Sequence, residues 1–295
     1  MTVDDAAWLA ERFEEHRPRL RAVAYRMLGS LPDADDAVQD AWLRVSRAGA
    51  EDVENLGGWL TTIVGRVCLN MLRSRNQRRE EPFDVLLPDP IVTTDPTVLP
   101  DEEAVLADSV SLALLVLLNT LTPAERLAFV LHDMFGLPFE EIGSLVDRSP
   151  AAARQLASRA RRRVQGAAIE RGDTDLGEQR RVVDAFFRAA RGGDVDALVA
   201  VLAPDVVLRS DFGGHQVPVP PVVQGAEAVA GQARLGAFPG AVLVPVLVGG
   251  RAGMLIRSGD RPVALMGFTV SSGRIAEIDA IADPARVRQL VAHLA

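Results

Sequence analysis

The chain has 295 residues, of which 48% are hydrophobic and 24% charged, the composition of a globular protein with room for two or three domains. A formal net charge of −8 argues against a protein that holds DNA unaided, because neutralisation of phosphates supplies most of the non-specific affinity. One cysteine excludes an internal disulfide, and four histidines without clustered thiolates argue against structural zinc, so we expect neither a metal nor another cofactor.

The sequence does not predict a membrane segment. The acidic residues 1–5 lack the apolar core of a signal peptide, and the most apolar run, residues 112–118, is too short to span a bilayer. We therefore expect a cytoplasmic protein without a membrane contact. Acids dominate residues 32–54, whereas residues 55–79 and 148–163 contain arginines and no acid, which indicates different partners for different surfaces.

The first predicted elements are two helices joined by a turn. The helix over residues 4–28 is expected to be interrupted at Pro18, because proline suits the start of a helix better than its interior. After the turn at residues 29–32, a second helix places Ala37, Val38 and Ala41 on one apolar stripe. Its acids lie mostly off that stripe, and spacing alone leaves open whether they form a solvated face or bind a partner.

A third helix follows the two glycines at positions 57 and 58. Its apolar residues recur at helical spacing, with Cys68 among them as a small core residue. The helix runs into an arginine-rich end at residues 73–79. Basic residues favour any helix C-terminus, but this number of arginines exceeds what capping needs and favours phosphate binding.

These helices resemble region two of the bacterial sigma-70 family, in the extracytoplasmic-function group. The similarity lies in the runs RAVAYRMLGSLPDADDAVQDAWLR (21–44) and GWLTTIVGRVCLNMLR (58–73). The resemblance implies that the acidic helix docks on the β′ clamp of core RNA polymerase, through Asp35, Asp36, Gln39 and Asp40. It also implies that the loop 47–58 and the third helix bind the melted −10 strand, through Asn55, Arg66, Asn70, Arg73 and Arg75.

Residues 81–101 are punctuated by prolines and predict an extended linker. Within it, Leu87, Pro88, Asp89 and Pro90 resemble a short motif of sigma factors that carry a fused extension. The residues alone leave open whether this motif has a regulatory role or is a spacer.

A second helical region is predicted over residues 102–170. An apolar helix at 102–118 precedes Thr122, whose hydroxyl, with Pro123 and Glu125 after it, predicts a capped helix. A short helix at 139–146, a turn capped by Ser149 and an arginine-rich final helix then form a helix-turn-helix. We expect Ala152, Leu156 and Ala160 to pack against the short helix.

The helix-turn-helix resembles sigma region four, in the runs LTPAERLAFV (121–130), FEEIG (139–143) and SPAAARQLASRARRR (149–163). The resemblance implies contact with the β flap of polymerase and insertion of the last helix into the major groove of the −35 element. The residues expected at DNA are Arg148, Ala152, Arg154, Gln155, Ser158, Arg159, Arg161 and Arg162.

Residues 176–295 predict an α+β cone. Helices at 181–190 and 195–202 precede a strand that begins within 203–208, a helix from 224 and a meander of strands at 241–248, 253–257, 262–270 and 274–281. The pattern, with GGDVDAL (192–198) and LAPDVVL (202–208), resembles the SnoaL-like group, related to polyketide cyclases and ketosteroid isomerases. Some such cones use an acid or histidine as a base in an apolar pocket. The candidates here are Asp205, Asp211, His215 and Asp279.

Two segments of this cone depart from motifs of related sigma factors. Phe212 and His215 interrupt an Asp-Gly-Gly-Gly-Lys-type loop, and residues 283–287 only partly match an Asn-Pro-Asp-Lys-Leu-type tail. We place Asp211 and His215 with the linker motif as candidate regulatory residues.

The sequence thus predicts a multidomain sigma factor: region two at 1–80, the linker, region four at 102–170 and the SnoaL-like domain at 176–295. We expect it to bind core RNA polymerase and promoter DNA, to be no enzyme itself, and to be regulated in cis by contacts of the C-terminal domain with the sigma domains or the linker. Two alternatives stay open: a cyclase or isomerase with a DNA-binding appendage, and a stand-alone helix-turn-helix repressor or activator.

Overall fold

The computed structural model describes residues 3–48, 53–78, 86–94, 111–166, 175–215, 217, 219–235 and 240–294. These residues form two compact units, the first within 1–80 and 114–168 and the second within 81–113 and 169–295. The described part of the linker therefore groups with the C-terminal residues. Within these ranges, none of the helices has the length and apolarity needed to cross a membrane.

The first half of the first unit consists of three helices: α1 (Val3–Leu28), α2 (Leu31–Ala48) and α3 (Leu56–Arg78). The predicted interruption at Pro18 is wrong, because α1 continues through this residue. Phe13 and Leu20 are fully buried on either side of the proline, and α1 packs on both α2 and α3. This packing outweighs the roughly 3 kcal/mol that an interior proline costs a helix.

The second half of this unit contains α4 (Leu112–Asn119), of which residues 112–113 group with the second unit, followed by α5 (Pro123–Phe129), a π-helical turn (Val130–Met134), α6 (Phe139–Leu145) and α7 (Pro150–Gly166). The structure describes the predicted apolar helix from Leu112 onward, and residues 102–110 lie outside the described ranges. The capping box at Thr122 and Glu125 is formed as predicted. The Ser149 hydroxyl accepts from the amide of Ala152 (3.2 Å) and caps α7.

The most deeply buried residues of α7 are only partly those expected to pack against the short helix. Ala153, Ala157 and Ala160 are fully buried, whereas Ala152 and Leu156 are half-buried. Ala152 and Leu156 nevertheless line one pocket together with Val146 at the end of the short helix, so their partial burial does not contradict the expected packing. The spacing of buried residues in α7 follows the packing of this helix on α5 and α6 together, and the neighbour on the α5 side could not be inferred from the pattern of α6 alone.

The two halves of the first unit pack directly on each other. A Cβ atom placed on Gly65 of α3 would lie 3.1 Å from Leu131 and 3.4 Å from Leu127, so glycine allows the close approach of α3 to α5 and the π-helical turn. Arg126 of α5 is buried there and donates two hydrogen bonds to the carbonyl oxygen of Arg26 in α1 (3.0 and 2.9 Å).

The second unit is built on a seven-stranded sheet of order β1-β4-β5-β6-β7-β2-β3. Its strands are β1 (Val92–Thr93), β2 (Leu202–Asp211), β3 (Val222–Gln224), β4 (Val242–Val248), β5 (Arg251–Ser258), β6 (Arg261–Ser271) and β7 (Arg274–Ile281). The predicted antiparallel meander is present as β4 to β7. The sheet as a whole is mixed, because β2 pairs in parallel with β7. The long connection that contains α10 (Ala226–Leu235) permits this parallel pairing, which alternation within single strands does not reveal.

Helices cover one face of this sheet. They are α8 (Leu176–Gly192), α9 (Val195–Val201) and α10, while α11 (Pro284–Leu290) and a final 3-10 turn (Ala292–Leu294) follow β7. Phe186 of α8 is buried against Phe268 of β6, with ring centroids 5.7 Å apart. The apolar core lies between the concave face of the sheet and the helices α8, α9 and α10.

Candidate nucleic-acid interface and linker-docking site

The acidic helix α2 presents the four predicted polymerase-binding residues to solvent. Asp35, Asp36, Gln39 and Asp40 are all exposed, while Ala34, Ala37, Val38, Ala41 and Val45 form the buried face. Two of the acids have arginine neighbours: Arg21 lies 2.6 Å from Asp35, and Arg44 lies 3.1 Å from Asp40. Both pairs are exposed and add little to stability, so the acids remain accessible to a partner.

Four of the five residues predicted at the −10 strand lie on α3, where they separate into two groups. Arg66, Asn70 and Arg73 are exposed and lie at i, i+4 and i+7, which places them on one helix face. Arg75 lies on the other side, 2.5 Å from Asp33 of the α2 helix. Asn55 caps the start of α3, since its side-chain oxygen accepts from the amide of Gly58 (3.0 Å). The structure thus brings three of the five residues together.

The candidate reading helix α7 also divides its arginines. Gln155, Arg159 and Arg162 are exposed on one face, and Ser158 is half-buried beside them. Arg161 instead forms an ion pair with Asp133, and the guanidinium of Arg154 lies 5.2 Å from the ring centroid of Phe139. Intramolecular contacts therefore account for the directions of these two arginines.

Glu125 connects the reading helix to the capping box of α5. Its carboxylate accepts from the amide and hydroxyl of Thr122 and lies 2.8 Å from Arg163 and 3.7 Å from Arg159. Burial acts to raise the pKa of Glu125, but the hydrogen bonds from Thr122 and the two guanidinium charges outweigh it, so the pKa is lowered. This carboxylate is held ionised and helps to orient α7.

A pocket of 320 Å³ lies where the two candidate DNA-binding surfaces meet within the first unit. Arg73 of α3 lines it together with Arg148, Gln155 and Arg159 from the helix-turn-helix. Its lining residues include three arginines and no acid, so the pocket is suited to an anion. In this arrangement Arg73, at one end of the face predicted to bind the −10 strand, lies beside the residues predicted to read the −35 element.

Two buried groups in the first unit have shifted pKa values. Burial raises the pKa of the Cys68 thiol to about 12, which keeps it protonated and unreactive, as expected of a core residue. Burial lowers the pKa of Arg126 to about 9. Besides the Arg26 carbonyl, this guanidinium contacts the side-chain oxygen of Asn119 (2.6 Å).

In the second unit, the linker motif binds a buried carboxylate. The amide of Leu87 donates to Asp211 Oδ2 (2.8 Å), and Asp211 is almost fully buried at the end of β2. Arg286 of α11 joins the two segments: it contacts Asp211 (2.5 Å), Asp89 (2.7 Å) and the carbonyl oxygen of Leu87. We call Leu87, Asp89, Asp211 and Arg286 the linker clamp.

The linker continues from the clamp into the sheet. Leu87, Pro88 and Pro90 are buried, and the amide of Gly249 donates to the carbonyl of Ile91 (2.8 Å). Val92 and Thr93 then form β1, paired antiparallel with β4. The carbonyl oxygen of Val92 accepts a hydrogen bond from His293 Nε2 (2.7 Å). The described linker is therefore an integral part of this unit.

The clamp contains one residue, Arg286, that was not among the candidate regulatory residues, and it omits three that were: Pro88, Pro90 and His215. Arg286 lies in the tail segment 283–287, where the partial motif match was the available signal. His215 is exposed, and its Nδ1 donates to the carbonyl of Phe212 (2.8 Å) instead of joining the clamp. Gly213 (φ +62°) lies so close to Asp283 that a Cβ atom there would clash with its carboxylate.

An apolar cavity of 330 Å³ lies between the concave face of the sheet and its helices. None of Asp205, Asp211, His215 and Asp279 is among its lining residues. Asp211 and Asp279 belong to alternate positions of β2 and β7 that face away from the cavity, which Leu208, Ser210, Ile278 and Ala280 line. The four candidate bases thus do not meet a molecule in this cavity.

Asp279 is instead part of a buried charge cluster. Arg209 lies 3.0 Å from Asp279 and 3.1 Å from Glu277. Burial raises the pKa of Asp279 to about 6, although the Arg209 charge acts in the opposite direction. Among the residues placed by the structure, no group of three or more His, Cys, Asp or Glu side chains could hold a metal ion.

Comparison with known proteins shows matches to two family models and to other sigma factors. Residues 12–79 match the family model of Sigma-70 region 2, and residues 111–164 match that of Sigma-70 region 4. SigI of Mycobacterium tuberculosis, a probable ECF RNA polymerase sigma factor, is 34% identical over 290 residues, 98% of this chain and 96% of the relative. The ECF RNA polymerase sigma factor SigJ of the same organism is 40% identical over 218 residues, 74% of this chain and 69% of the relative.

The crystal structure of SigJ from Mycobacterium tuberculosis matches this structure with a TM-score of 0.71 at 33% sequence identity. The match covers 94% of this chain and 97% of that one. The predicted fold class, two all-α sigma domains followed by an α+β SnoaL-like cone, is thereby confirmed.

Proposed function

This chain belongs to the extracytoplasmic-function group of sigma-70 RNA polymerase sigma factors, which direct the initiation of transcription, and we propose that its C-terminal domain controls that activity in cis by holding the linker. The first unit supplies the surfaces for polymerase and promoter. The second unit determines, through the linker clamp, whether the two sigma regions can separate.

In this proposal, α2 docks on the β′ clamp of core RNA polymerase through Asp35, Asp36, Gln39 and Asp40, whose exposure on one side of a well-packed helix supports that role. Region four contacts the β flap. The exposed face of α3 with Arg66, Asn70 and Arg73 binds the melted −10 strand. Asn55 and Arg75 support this face by capping α3 and by joining it to α2.

The −35 element is read by α7. Arginine and glutamine are suited to bidentate contacts with guanine and adenine in the major groove, so Gln155 and Arg159 read bases. Arg148, Ala152, Ser158 and Arg162 border the same face and contact the backbone or base edges. Arg154 and Arg161 reach DNA only after leaving Phe139 and Asp133, respectively.

Promoter binding requires the two sigma regions to separate. The −10 and −35 elements lie about 25 base pairs apart by their numbering, which corresponds to about 85 Å at about 3.4 Å per base pair. Arg73 and Arg159, from the two candidate surfaces, line one pocket of the first unit. The packing of α3 on α5 and α6 is therefore a resting arrangement that holoenzyme formation must open. The linker joins the two regions. Any segment of the linker that is bound to the C-terminal domain shortens the length available to span between them.

The observation that carries the proposal is the docking of the linker on the SnoaL-like domain by Arg286, Asp211 and β1. The test is run-off transcription with purified core polymerase on a promoter selected by binding to holoenzyme. Arg286→Ala removes the contacts of Arg286 with Asp211, Asp89 and the carbonyl oxygen of Leu87. This variant is expected to raise the transcript yield, because a released linker allows the two sigma regions to separate. Arg288→Ala, at an exposed position of the same helix, is the matched control and should leave it unchanged.

Equal transcription by the two variants and the native chain would overturn control by the clamp. A chain ending at residue 170 extends the test to the whole domain, and its transcription should differ from that of the full chain. The experiment also decides between classes of function. Tight duplex binding without polymerase, and no transcript with it, would favour a stand-alone repressor. An enzymatic role for the cone is not part of the proposal, because the candidate bases lie outside its cavity.

A further inference from the structure

The cavity of the SnoaL-like cone has the size and lining of a small-molecule site. Its volume is 330 Å³, and 17 of its 20 lining residues are apolar. An apolar cavity of about 150 Å³ is enough to bind benzene, so this one has room for two or three rings. Its space arises from small side chains: Ala190, Ala233, Ala264, Ala280 and Ala282 all line it. Val217, which is exposed, also lines it and marks its opening to solvent.

The polar groups of the lining limit the chemistry of a ligand. They are Ser210, Gln232 and Arg191, and the guanidinium of Arg191 donates to the carbonyl oxygen of Ala241 (2.8 Å). The hydroxyl of Ser210 and the amide of Gln232 can donate to or accept from a carbonyl or hydroxyl group. The lining includes neither a carboxylate nor a histidine. Arg191 is exposed, so its charge is solvated at the edge of the cavity, and the rest of the lining favours binding of an uncharged molecule over acid–base chemistry.

The cavity and the linker clamp share a wall. Ser210 and Phe212 line the cavity, while Asp211 between them faces the other side of β2 and holds the linker. The amide of Ala282, another lining residue, donates to the carbonyl of Asp211 (2.7 Å). Asp283 follows and caps α11, the helix that carries Arg286. A molecule packed against Ser210, Phe212 and Ala282 thus rests on the backbone that positions both charged partners of the linker.

We propose that this cavity binds an uncharged, largely apolar molecule of two or three rings with one or two hydrogen-bonding groups, and that an occupied cavity stabilises the docked linker. The binding part stands on the cavity alone. The coupling part rests on the proposed control by the clamp. A ligand that fixes the end of β2 favours the conformation in which Asp211 holds Leu87, and the docked linker in turn favours the ligand, because coupling between two sites is reciprocal.

The binding test uses N-phenyl-1-naphthylamine, an uncharged fluorescent three-ring amine, titrated into the full chain. We expect a saturable rise in fluorescence for a single site. Two variants narrow the cavity, Ala233→Leu from α10 and Ala264→Leu from β6, and each is expected to weaken binding about tenfold. Ala228→Leu makes the same change at an exposed position of α10 and should stay within about twofold of the native chain.

Circular dichroism confirms that each variant is folded, and the half-buried position of Ala233 makes it the more tolerant of the two sites. Absence of saturable binding by the native chain, or equal affinities of the native chain and both cavity variants, would overturn the site.

The coupling test measures hydrogen exchange of peptides covering residues 86–94 in the full chain, with and without saturating N-phenyl-1-naphthylamine. The amide of Leu87 reports directly on the clamp, since it donates to Asp211. We expect its exchange to slow about fivefold on binding. If the exchange rate of the Leu87 amide is unchanged when the cavity is filled, the proposed coupling is wrong and the cavity remains only a binding site. Failure of Arg286→Ala to alter transcription would instead remove the clamp's role in control, and the affinity measurement would be unaffected.

Discussion

Asp279 lies buried on β7 with the guanidinium of Arg209 3.0 Å from its carboxylate, and Glu277 shares the same arginine. One guanidinium cannot fully compensate two carboxylates when one of them has lost its water, so the pKa of Asp279 rises to about 6. A raised pKa of an acid in a cleft is often taken as a sign of catalysis. Here the group faces away from the cavity, and its shift is a property of the packing.

The raised pKa of Asp279 predicts a stability effect with a definite sign. The folded state holds this proton up to about pH 6, whereas the unfolded chain releases it near 3.8. The stabilisation is therefore fully present below pH 3.8 and is lost as the pH rises through 6. The difference between these pKa values corresponds to about 3 kcal/mol.

Asp279→Asn should lack this pH dependence of the free energy of unfolding, because asparagine resembles the protonated carboxyl group. Urea denaturation of the native chain and Asp279→Asn at several pH values from 4.5 to 7 measures it, and the native chain should lose stability relative to the variant as the pH rises. Asp205→Asn, at an exposed position, provides the control and should follow the native chain. Parallel curves for native chain and Asp279→Asn would contradict the assignment.

At the scale of elements, the start of α5 is held by the same carboxylate that orients the reading helix. Glu125 closes the capping box with Thr122 and also contacts Arg163 and Arg159 of α7. The box could be predicted from four consecutive residues. The arginine contacts could not, because they bring together residues 34 and 38 positions apart whose meeting depends on how α7 packs across α5.

Glu125→Gln should destabilise the first unit, by about 2 kcal/mol, since it leaves two guanidinium groups near a neutral amide and weakens the cap. The lowered pKa of Glu125 gives the effect a pH window: its stabilisation is present above the ordinary value of 4.5 and is lost as the pH falls through the lower folded value. Urea denaturation at pH 7 and pH 4 tests this expectation.

The deficit of Glu125→Gln relative to the native chain should be larger at pH 7 than at pH 4. Glu140→Gln, an exposed change in the first turn of α6, is the matched control and is expected to cost little at either pH. An equal deficit at both values would show that the charge of Glu125 is not what stabilises this corner.

The elements that the sequence predicted well are those whose cause is local. Helical periodicity predicted α3, the capping residues predicted α5 and α7, and the turns between hydrophobic runs predicted the meander from β4 to β7. The helix interruption predicted at Pro18 was wrong because tertiary packing on both sides of this residue outweighs the free energy that proline costs a helix interior. The parallel pairing of β2 with β7 joins segments about 70 residues apart, and only the assembled sheet specifies it.

The same distinction explains the candidate sites. The motif at residues 87–90 and Asp211 were selected by resemblance, and the structure brings them together. Arg286 was not selected, because its partners Asp89 and Asp211 are 197 and 75 positions away and nothing in residues 283–287 points to them. The division of the four candidates on α3 follows from helix geometry once the position of α2 is known. Residue type and order along the chain do not reveal it.

At the scale of the molecule, the first unit keeps its two sigma regions together through contacts that are costly to bury. Arg126 is buried with carbonyl and amide oxygens as its hydrogen-bond partners in the described contacts, and burial lowers its pKa to about 9. Gly65 supplies no side chain to the interface, yet it allows the closest approach of the helices. An interface that includes a buried cation is suited to opening when polymerase offers better partners for both regions.

This view predicts that the distance between the two regions increases when holoenzyme forms on a promoter. Because Cys68 is the only cysteine, dyes can be attached at Leu43→Cys and Glu140→Cys, both exposed positions, in a Cys68→Ala background. The efficiency of energy transfer should be high for the free chain and fall when core polymerase and promoter DNA are added.

Gly65→Leu should lower the efficiency of energy transfer without polymerase, since the new side chain cannot fit beside Leu127 and Leu131. Gly231→Leu, also a helical glycine but with open space around it, should leave the efficiency unchanged. If transfer stays high in the promoter complex, the packed arrangement of the two regions is the active one, and the linker clamp must act by some means other than limiting their separation.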